Sequence, residues 1–196
     1  MTVFGLTGNI GCGKSTVGKI LTESGFLHID ADYIGRMAAE PGTAANEEIR
    51  RVFGSMYFDE NSNLLRKKLG AHVFADPKEL AKLNAILHPA IKDEIKRQVE
   101  KGKAADPCRH IVVEAAVLFE AEMSALVEKV ILVTADDDVR LQRVMARDGL
   151  PAEQIRQRMN NQMSQDEKRK MSDYIIENNG NLCDLKRNVA LFLSEL

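Results

Sequence analysis

The stretch from Gly8 to Ser15 constrains this chain more than any other feature. Its letters, GNIGCGKS, fit the pattern G-x-x-x-x-G-K-[ST] in full. A short, mostly apolar, β-rich run at 2–7 precedes it, and a helical apolar pattern over 17–21 follows. Glycines let a backbone wrap closely around phosphate oxygens, and a helix N-terminus favours anions, so this order predicts a phosphate-binding loop. A chance glycine-rich turn is the alternative, and the flanking strand and helix argue against it.

Each position of this loop has a physical task at a bound nucleotide. Its backbone N–H groups face the phosphates, and Lys14 reaches the β- and γ-phosphates. The Ser15 hydroxyl lies at the Mg²⁺ position, and Thr16 helps to hold an α-phosphate. Cys12 is open to two interpretations: a thiol of lowered pKa that reacts with oxidants, or a small residue that the loop tolerates. The predicted phosphate-binding residues are Gly11, Cys12, Gly13, Lys14, Ser15 and Thr16.

Apolar runs of strand length recur along the chain and predict a parallel sheet. After the first run they lie at 26–29, 111–113, 130–133 and 174–176. Helical signals dominate 41–109, where strand-like runs are absent, so we expect an inserted helical lobe there. The sequence thus predicts an α/β fold of the P-loop NTPase class: three α/β/α layers with a parallel central sheet, an inserted helical substrate lobe and a helical lid.

The expected domain boundaries follow from these patterns. The nucleotide-binding core comprises 1–40 with 110–138 and 172–196, the lobe is 41–109, and the lid is 139–171. Asp76-Pro77 predicts a helix start, and Pro89 predicts a break between two helices, because proline lacks a backbone donor and disfavours helical geometry before it. Around the lid we expect two helices, over 136–148 and 151–171, and a closing helix over 182–196.

Three carboxylates lie where predicted strands end. Asp30 and Asp32 follow the second strand, and Glu114 follows the third. In phosphoryl transfer to a hydroxyl, such a group can orient the acceptor and take its proton, which makes Asp30 and Asp32 candidates. The alternative for either one is an N-cap of a helix that starts near Tyr33. Glu114 occupies the place of a Walker-B-type carboxylate, with a solvated strand terminus as its alternative.

The lid is rich in cations. Arg140, Arg143 and Arg147 recur at i, i+3 and i+7, which places them on one helix face. In a chain of net charge -2, a local basic excess suits a lid that closes over a triphosphate and stabilises transition-state charge. A solvated face paired with the acidic residues at 136–138 is the alternative.

Composition excludes several classes of function. Lys and Arg total 27 against 29 Asp and Glu, so bulk charge does not attract nucleic acid or an anionic membrane. The three cysteines form no CxxC pair, and no apolar run is long enough for a membrane span, so we expect a cytoplasmic protein. The four histidines have no spacing typical of metal ligands. His88, before Pro89, is open to two interpretations: a side chain that faces a substrate, or one that caps a helix or packs in the core. No guanine-reading N-K-x-D is present.

These residues together resemble the dephospho-CoA kinase family, and the resemblance covers nearly the whole chain. The P-loop is shared by many kinases, whereas the Asp-Ala-Asp, His-Pro and lid elements in this order are specific to the family. The matching segments are 6–16, 29–36, 41–42, 53–54, 65–66, 69–70, 73–74, 87–89, 118–120, 140–143, 147–149, 162–163 and 173–178. The chain departs from the family at 116–118, where Ala-Val-Leu replaces Pro-Leu-Leu, and at Leu65, where an acidic residue or Asn is common.

The resemblance implies a reaction and a set of roles. The protein would transfer the γ-phosphate of ATP, with Mg²⁺ bound, to the ribose 3′-hydroxyl of dephospho-CoA. Asp32 would activate that hydroxyl. Arg140, Arg143 and Arg147 would contact ATP, and Asn178 would lie near the adenine. Asp30, Arg66, His88, Phe119 and Glu120 are expected on the acceptor side. The expected partners are these two small molecules, without nucleic acid or membrane, and we expect the chain to be a monomer or small homo-oligomer.

Two rival functions stay open at this point. The first is a kinase of the same core that acts on another small hydroxyl or nucleotide acceptor. The second is a nucleotide-dependent switch or assembly ATPase, which would bind or hydrolyse ATP without any acceptor. Assaying a panel of acceptors separates these alternatives.

Overall fold

Five strands and nine α-helices make up the protein. The computed structural model describes all residues, 1–196. The strands are β1 (Val3–Thr7), β2 (Leu27–Asp30), β3 (Ile111–Glu114), β4 (Lys129–Thr134) and β5 (Tyr174–Glu177). The helices are α1 (Lys14–Glu23), α2 (Ala31–Ala38), α3 (Ala44–Phe53), α4 (Arg66–Val73), α5 (Pro77–Ala105), α6 (Asp137–Asp148), α7 (Ala152–Asn160), α8 (Gln165–Lys170) and α9 (Leu182–Ser194). None of the helices combines the length and apolar character that a membrane crossing requires.

The strands form one parallel sheet in the order β2-β3-β1-β4-β5. All five residues of β1 and all four of β3 are buried, which is why these strands read as continuous apolar runs. Because parallel strands end at the same edge, the loop after β1 shares that edge with the last residues of β2 and β3. Asp30 and Glu114 are direct neighbours there, as register partners. The predicted parallel sheet is confirmed.

The core beneath the phosphate-binding loop fixes helix α1 against the sheet. Val17 and Leu21 of α1 are fully buried beside Phe4 of β1. Leu185 and Val189 of α9 belong to the same cluster. Helix α1 therefore cannot shift without disturbing the centre of the core, and its first turn carries Lys14 and Ser15.

The chain divides into two compact units, of which the second is helical. The first unit is Met1–Asp30 with Gln98–Leu196, and the second is Ala31–Arg97. Sequence patterns place the lobe at 41–109, so the compact unit starts ten residues earlier and ends twelve earlier. Its own core consists of Ala39, Ile49, Tyr57, Phe58, Leu69 and Val73, with Leu80, Leu83, Ile86 and Leu87 of α5 packed against it.

The predicted helix break at Pro89 is wrong. Helix α5 runs without interruption from Pro77 to Ala105 and contains Pro89 in its interior. The missing N–H of a proline costs one helical hydrogen bond and crowds the carbonyl four residues earlier. Side chains on both sides offset this cost: residues before Pro89 pack on the helical core, while Ile91 and Ile95 after it are buried. The predicted helix start at Pro77 is confirmed, and the Asp76 carboxylate accepts from the backbone N–H of Lys78.

The single helix predicted over 151–171 is also wrong. The structure has two helices, α7 and α8, separated by residues 161–164. Ser164 caps α8 by accepting from the backbone N–H of Glu167, whose carboxylate accepts from the Ser164 backbone in return. This capping box satisfies donors that a helix start leaves without partners and so favours a new helix at this point. The intervening segment is free to contact the loop after β1.

Candidate active site

The phosphate-binding loop is held by side chains from distant parts of the chain. Gly11 and Gly13 have φ angles of 81° and 90°, in the left-handed region that favours glycine. A Cβ on Gly13 would collide with the Asn178 amide, which lies against the loop. That amide Nδ2 donates to the Cys12 carbonyl at 2.8 Å. Asn178, expected near the adenine, therefore also clamps the loop backbone.

Four side chains form what we call the phosphate-side network: Lys14, Ser15, Glu114 and His28. Lys14 Nζ lies 3.1 Å from Glu114 Oε1, and Ser15 Oγ donates to the same oxygen at 2.8 Å. His28 Nε2 lies 3.0 Å from the other carboxylate oxygen, Oε2. The Glu114 side chain is only 6% exposed, so its alternative interpretation as a solvated strand terminus is wrong.

The Glu114 carboxyl is ionised by its surroundings. Burial by itself raises the pKa of a carboxyl, because it disfavours the charged form. Here the His28 hydrogen bond, the Lys14 charge and the hydrogen bonds from Ser15 and Lys14 outweigh burial and lower the pKa of Glu114 to about 2. A permanent negative charge therefore lies beside Lys14 and Ser15, the two loop residues expected to meet phosphate and Mg²⁺.

His28 belongs to this site, although no local pattern of the sequence indicates it. His28 lies on β2, two residues before Asp30, and both side chains point to one face of the sheet. Its register partner is Val112, two residues before Glu114, so imidazole and carboxylate are diagonal neighbours on adjacent strands. The only signal is this register, which joins residues 86 positions apart.

The Arg140 guanidinium is buried next to the loop. Its Nε donates to the Ile10 carbonyl at 3.0 Å, and its Nη1 pairs with Asp137 Oδ1 at 2.6 Å. The remaining nitrogen, Nη2, is buried without a hydrogen-bond partner. The alternative interpretation of the arginines is a solvated helix face that pairs with the acidic residues at 136–138. Arg140 does pair with one of these residues, but it is not solvated, because it is only 3% exposed.

The other two arginines of the predicted stripe behave differently from Arg140. Arg143 donates to the Asn178 carbonyl at 2.8 Å and to the Gly180 carbonyl at 3.1 Å, which fixes the segment after β5. Arg147 is exposed and makes a two-pronged contact with its neighbour Asp148. One helix face thus carries a buried cation at the loop, a half-buried anchor and an exposed surface pair.

The segment between α7 and α8, residues 161–164, contacts the phosphate-binding loop directly. Asn9 Nδ2 donates to the Met163 carbonyl at 2.8 Å, and the Ile10 backbone N–H donates to Gln162 Oε1 at 2.9 Å. Glu120 supports this arrangement: its Oε1 accepts from the Met163 backbone N–H and pairs with Lys168 Nζ at 2.9 Å. Lid and loop are therefore joined by hydrogen bonds in this conformation.

The residues expected on the acceptor side are distributed over both compact units. In the first, Asp30 ends β2, and half-buried Phe119 precedes Glu120 in the turn after β3. In the second, Asp32 lies in the first turn of α2, which begins at Ala31 rather than near Tyr33. Asp32 is therefore inside the helix and is not its N-cap. Arg66 begins α4, where it donates to the Arg36 carbonyl and pairs with Glu40, and half-buried His88 lies within α5.

The two remaining loop residues, Cys12 and Thr16, differ in accessibility. Cys12 is buried, and burial raises the pKa of its thiol despite the nearby Lys14, which favours the interpretation as a small residue that the loop tolerates. Thr16 is exposed in the first turn of α1, with its backbone N–H donating to the Gly13 carbonyl. No group of three or more His, Cys, Asp or Glu side chains is arranged to hold a metal ion.

Comparisons with known proteins match the chain over nearly its whole length. The family model described as dephospho-CoA kinase matches residues 2–184. A dephospho-CoA kinase from Corynebacterium diphtheriae is 40% identical over 187 residues, which cover 95% of this chain and 93% of the relative. A crystal structure from Thermus thermophilus shares 34% identity with a TM-score of 0.82, covering 100% of this chain and 97% of the other. Dephospho-CoA kinase from Campylobacter jejuni shares 28% identity with a TM-score of 0.73, covering 98% and 96%. The chain belongs to the dephospho-CoA kinase family.

Proposed function

We propose a division of roles among the residues of this chain for the reaction of its family, the ATP-dependent phosphorylation of dephospho-CoA to coenzyme A. The observation that carries the proposal is the phosphate-side network. Lys14 and Ser15 follow a glycine-rich loop, and both contact the buried, ionised Glu114. Such a group of a cation, a hydroxyl and a carboxylate at a helix N-terminus is suited to a nucleotide triphosphate with its metal ion.

The donor side binds the ATP phosphates. Backbone N–H groups of Gly11–Thr16 surround them, Lys14 neutralises the β- and γ-phosphates, and Asn178 keeps the loop in shape from the adenine side. The Arg140 guanidinium lies against the loop, and its buried Nη2 has no hydrogen-bond partner. A cation with one unsatisfied donor at this place supports a role in stabilising charge on the transferring phosphoryl group. Arg143 and Arg147 complete the donor side from the same helix.

The residues present fit a Mg²⁺ ion bound together with ATP. Ser15 Oγ and Glu114 Oε1 lie 2.8 Å apart, and hydroxyl and carboxylate oxygens are ligands that this ion prefers. Ser15 and Glu114 would hold it. When bound, Mg²⁺ neutralises phosphate charge and polarises the γ-phosphate for transfer.

The acceptor side orients the ribose 3′-hydroxyl of dephospho-CoA. Asp32, exposed in the first turn of α2, accepts the proton of this hydroxyl as the new O–P bond forms. The bond between the γ-phosphorus and the bridging oxygen breaks in the same transfer, and ADP leaves with that oxygen. Arg66 and His88 bind the acceptor from the helical unit. Asp30, Phe119 and Glu120 contribute from the ends of β2 and β3.

The chemistry of the cysteines supports a proposal for the setting of the reaction. All three cysteines are free thiols, which suits a reducing compartment, and we propose a cytoplasmic location. Its partners are the two small substrates, with no nucleic acid or membrane, and the chain acts as a monomer or small homo-oligomer.

The decisive experiment is transfer of labelled γ-phosphate from ATP in the presence of Mg²⁺. Dephospho-CoA is offered beside AMP, CMP, adenosine and gluconate, and the products are identified by mass. We expect label only in coenzyme A. Transfer to another acceptor would keep the donor side and contradict the acceptor assignment, whereas hydrolysis without any acceptor would indicate an ATPase.

A further inference from the structure

The His28–Glu114 contact joins an edge strand to the centre of the donor side. Nε2 of His28 lies 3.0 Å from Oε2 of Glu114. A carboxylate accepts hydrogen bonds, so a hydrogen bond between these two atoms requires a proton on Nε2 of the His28 ring. The imidazole is 27% exposed, whereas the carboxylate is almost completely buried.

The two carboxylate oxygens have different partners, and this difference gives His28 a task. Oε1 already accepts from Lys14 and Ser15. With only that oxygen held, the carboxylate could still rotate about its last torsion angle, because that torsion is broad. His28 holds the second oxygen and so fixes the plane of the group.

Gly18 supplies a second, independent observation. It lies in α1, three and four residues after Ser15 and Lys14, and therefore on the same helix face. A Cβ at this position would lie 2.6 Å from Glu114 Oε2 and 3.4 Å from His28 Nε2. Glycine in the middle of a helix is unfavourable compared with alanine, yet only a residue without a side chain leaves room for this contact.

We propose that His28 is a positioning residue for the donor side: it orients the Glu114 carboxylate towards Lys14 and Ser15, in space that Gly18 leaves open. The inference rests on the proposed function of these loop residues. His28 does not touch the substrates and acts through Glu114. The contrasting interpretation is that His28 only satisfies a buried acceptor and stabilises the fold.

Substitution of His28 distinguishes a positioning role from a purely structural one. His28→Gln keeps an N–H donor at similar reach, and His28→Leu keeps the bulk without a donor. We expect His28→Leu to lower kcat by a factor on the order of ten at saturating ATP and Mg²⁺, with KM for dephospho-CoA unchanged. His28→Gln should recover most of the loss.

Stability is measured on the same variants by urea unfolding. His72→Leu is the control, because His72 also faces a glutamate, Glu79 at 3.7 Å, but lies in the helical unit. Unchanged kcat in folded His28→Leu would overturn the proposal, as would equal losses in His28→Leu and His28→Gln.

A spectroscopic readout tests the contact without any turnover. Two-bond ¹H–¹⁵N correlation spectra of the histidine rings show which nitrogen carries the proton. We expect a protonated Nε2 on His28 in the wild type and a changed His28 signal in Glu114→Gln, while His72 stays unchanged. A bare Nε2 in the wild type would contradict the proposal.

Gly18→Ala keeps the proposal testable if the His28 variants do not fold. Alanine favours the helix, so the protein should fold, while its Cβ displaces the carboxylate and lowers kcat severalfold. Gly70→Ala in α4 is the matched control, because its Cβ meets only the Phe74 ring at an ordinary 3.6 Å. Normal turnover in Gly18→Ala would contradict the inference.

The proposed function and the role of His28 can fail separately. If the wild type forms no coenzyme A, the proposed function fails, and the spectra still show whether His28 donates to Glu114.

Discussion

The donor side and the helical unit solve the problem of placing polar groups in opposite ways. Eight polar or charged side chains are buried, and all except Asn46 belong to the first compact unit. Those of the donor side, such as Glu114, Arg140 and Lys168, reach partners far away in the sequence. In the helical unit, the ion pairs of Arg51 and Arg66 are exposed and involve flexible side chains.

This difference indicates how each region meets its substrate. Buried groups with fixed partners do not need to reorganise when charge develops on a phosphoryl group, which is the condition for strong electrostatic stabilisation. Exposed side chains lose conformational entropy when they bind, but they adapt to a large and flexible ligand. Mutations on the donor side should therefore affect turnover, and mutations in the helical unit should affect acceptor affinity. Asp32 is the exception, because it lies in the helical unit but is proposed to act in turnover.

The largest effect is expected for Asp32→Asn. The amide cannot take the proton of the 3′-hydroxyl, so kcat should fall roughly 10²- to 10⁴-fold while ATP binding is retained. Single-turnover rates and ATP affinity by titration calorimetry measure the two quantities separately. Asp93→Asn, an exposed change in the same unit, is the control and should retain full activity. Near-normal kcat in Asp32→Asn would remove Asp32 from the mechanism.

The next largest effect is expected for Lys14→Ala on the donor side. Loss of this cation removes one stabilising charge from the γ-phosphate and frees Glu114 Oε1 from one of its two partners. We expect kcat/KM for ATP to fall about 10²- to 10³-fold. Lys19→Ala changes an exposed lysine of the same helix and should leave the kinetics unchanged. If Lys14→Ala altered only the KM for dephospho-CoA, the division between the two regions would be wrong.

The sequence predicts the features that depend on local pattern. The limits of all five strands agree with the structure within one residue, because buried parallel strands are short apolar runs. The phosphate-binding loop is equally visible, since residues 8–15 need defined residue types at fixed spacing. The S-x-x-E pattern at Ser164 is also a local signal: it indicates a new helix start within the helix predicted over 151–171.

Features that depend on packing between distant segments are not visible in the sequence. Pro89 is tolerated because apolar residues on both sides of it are buried, which a local rule for proline does not contain. The His28–Glu114 contact depends on the register of β2 against β3. The stripe of three arginines looks uniform in the sequence. Its members differ in burial because only Arg140 reaches the loop after β1.

A smaller effect, on stability, is expected for Glu120→Gln. The Lys168 ammonium is fully buried, and Glu120 is its charged partner at 2.9 Å. Removing the charge leaves the buried cation with neutral acceptors, the Ala116 carbonyl and the new amide oxygen. The unfolding free energy should therefore fall by about 2 kcal/mol, less than for a completely buried pair that loses one partner. Glu177→Gln breaks an exposed pair with Arg169 and should cost below ~0.5 kcal/mol. Equal costs in urea unfolding would contradict the contrast between buried and exposed pairs.

The smallest effect is expected for Arg66→Ala, and it sharpens the comparison from the side of the helical unit. Both partners of Arg66 are at the surface, so the unfolding free energy should change by less than about 1 kcal/mol. If its guanidinium binds an anionic group of dephospho-CoA, KM for this substrate should rise roughly tenfold, while kcat and KM for ATP stay unchanged. Arg51→Ala breaks a similar exposed pair in the same unit and should not alter any kinetic constant. An equal rise in the KM for dephospho-CoA and the KM for ATP would mean that Arg66 does not bind the acceptor specifically. A residue that binds only one substrate must leave the affinity for the other unchanged.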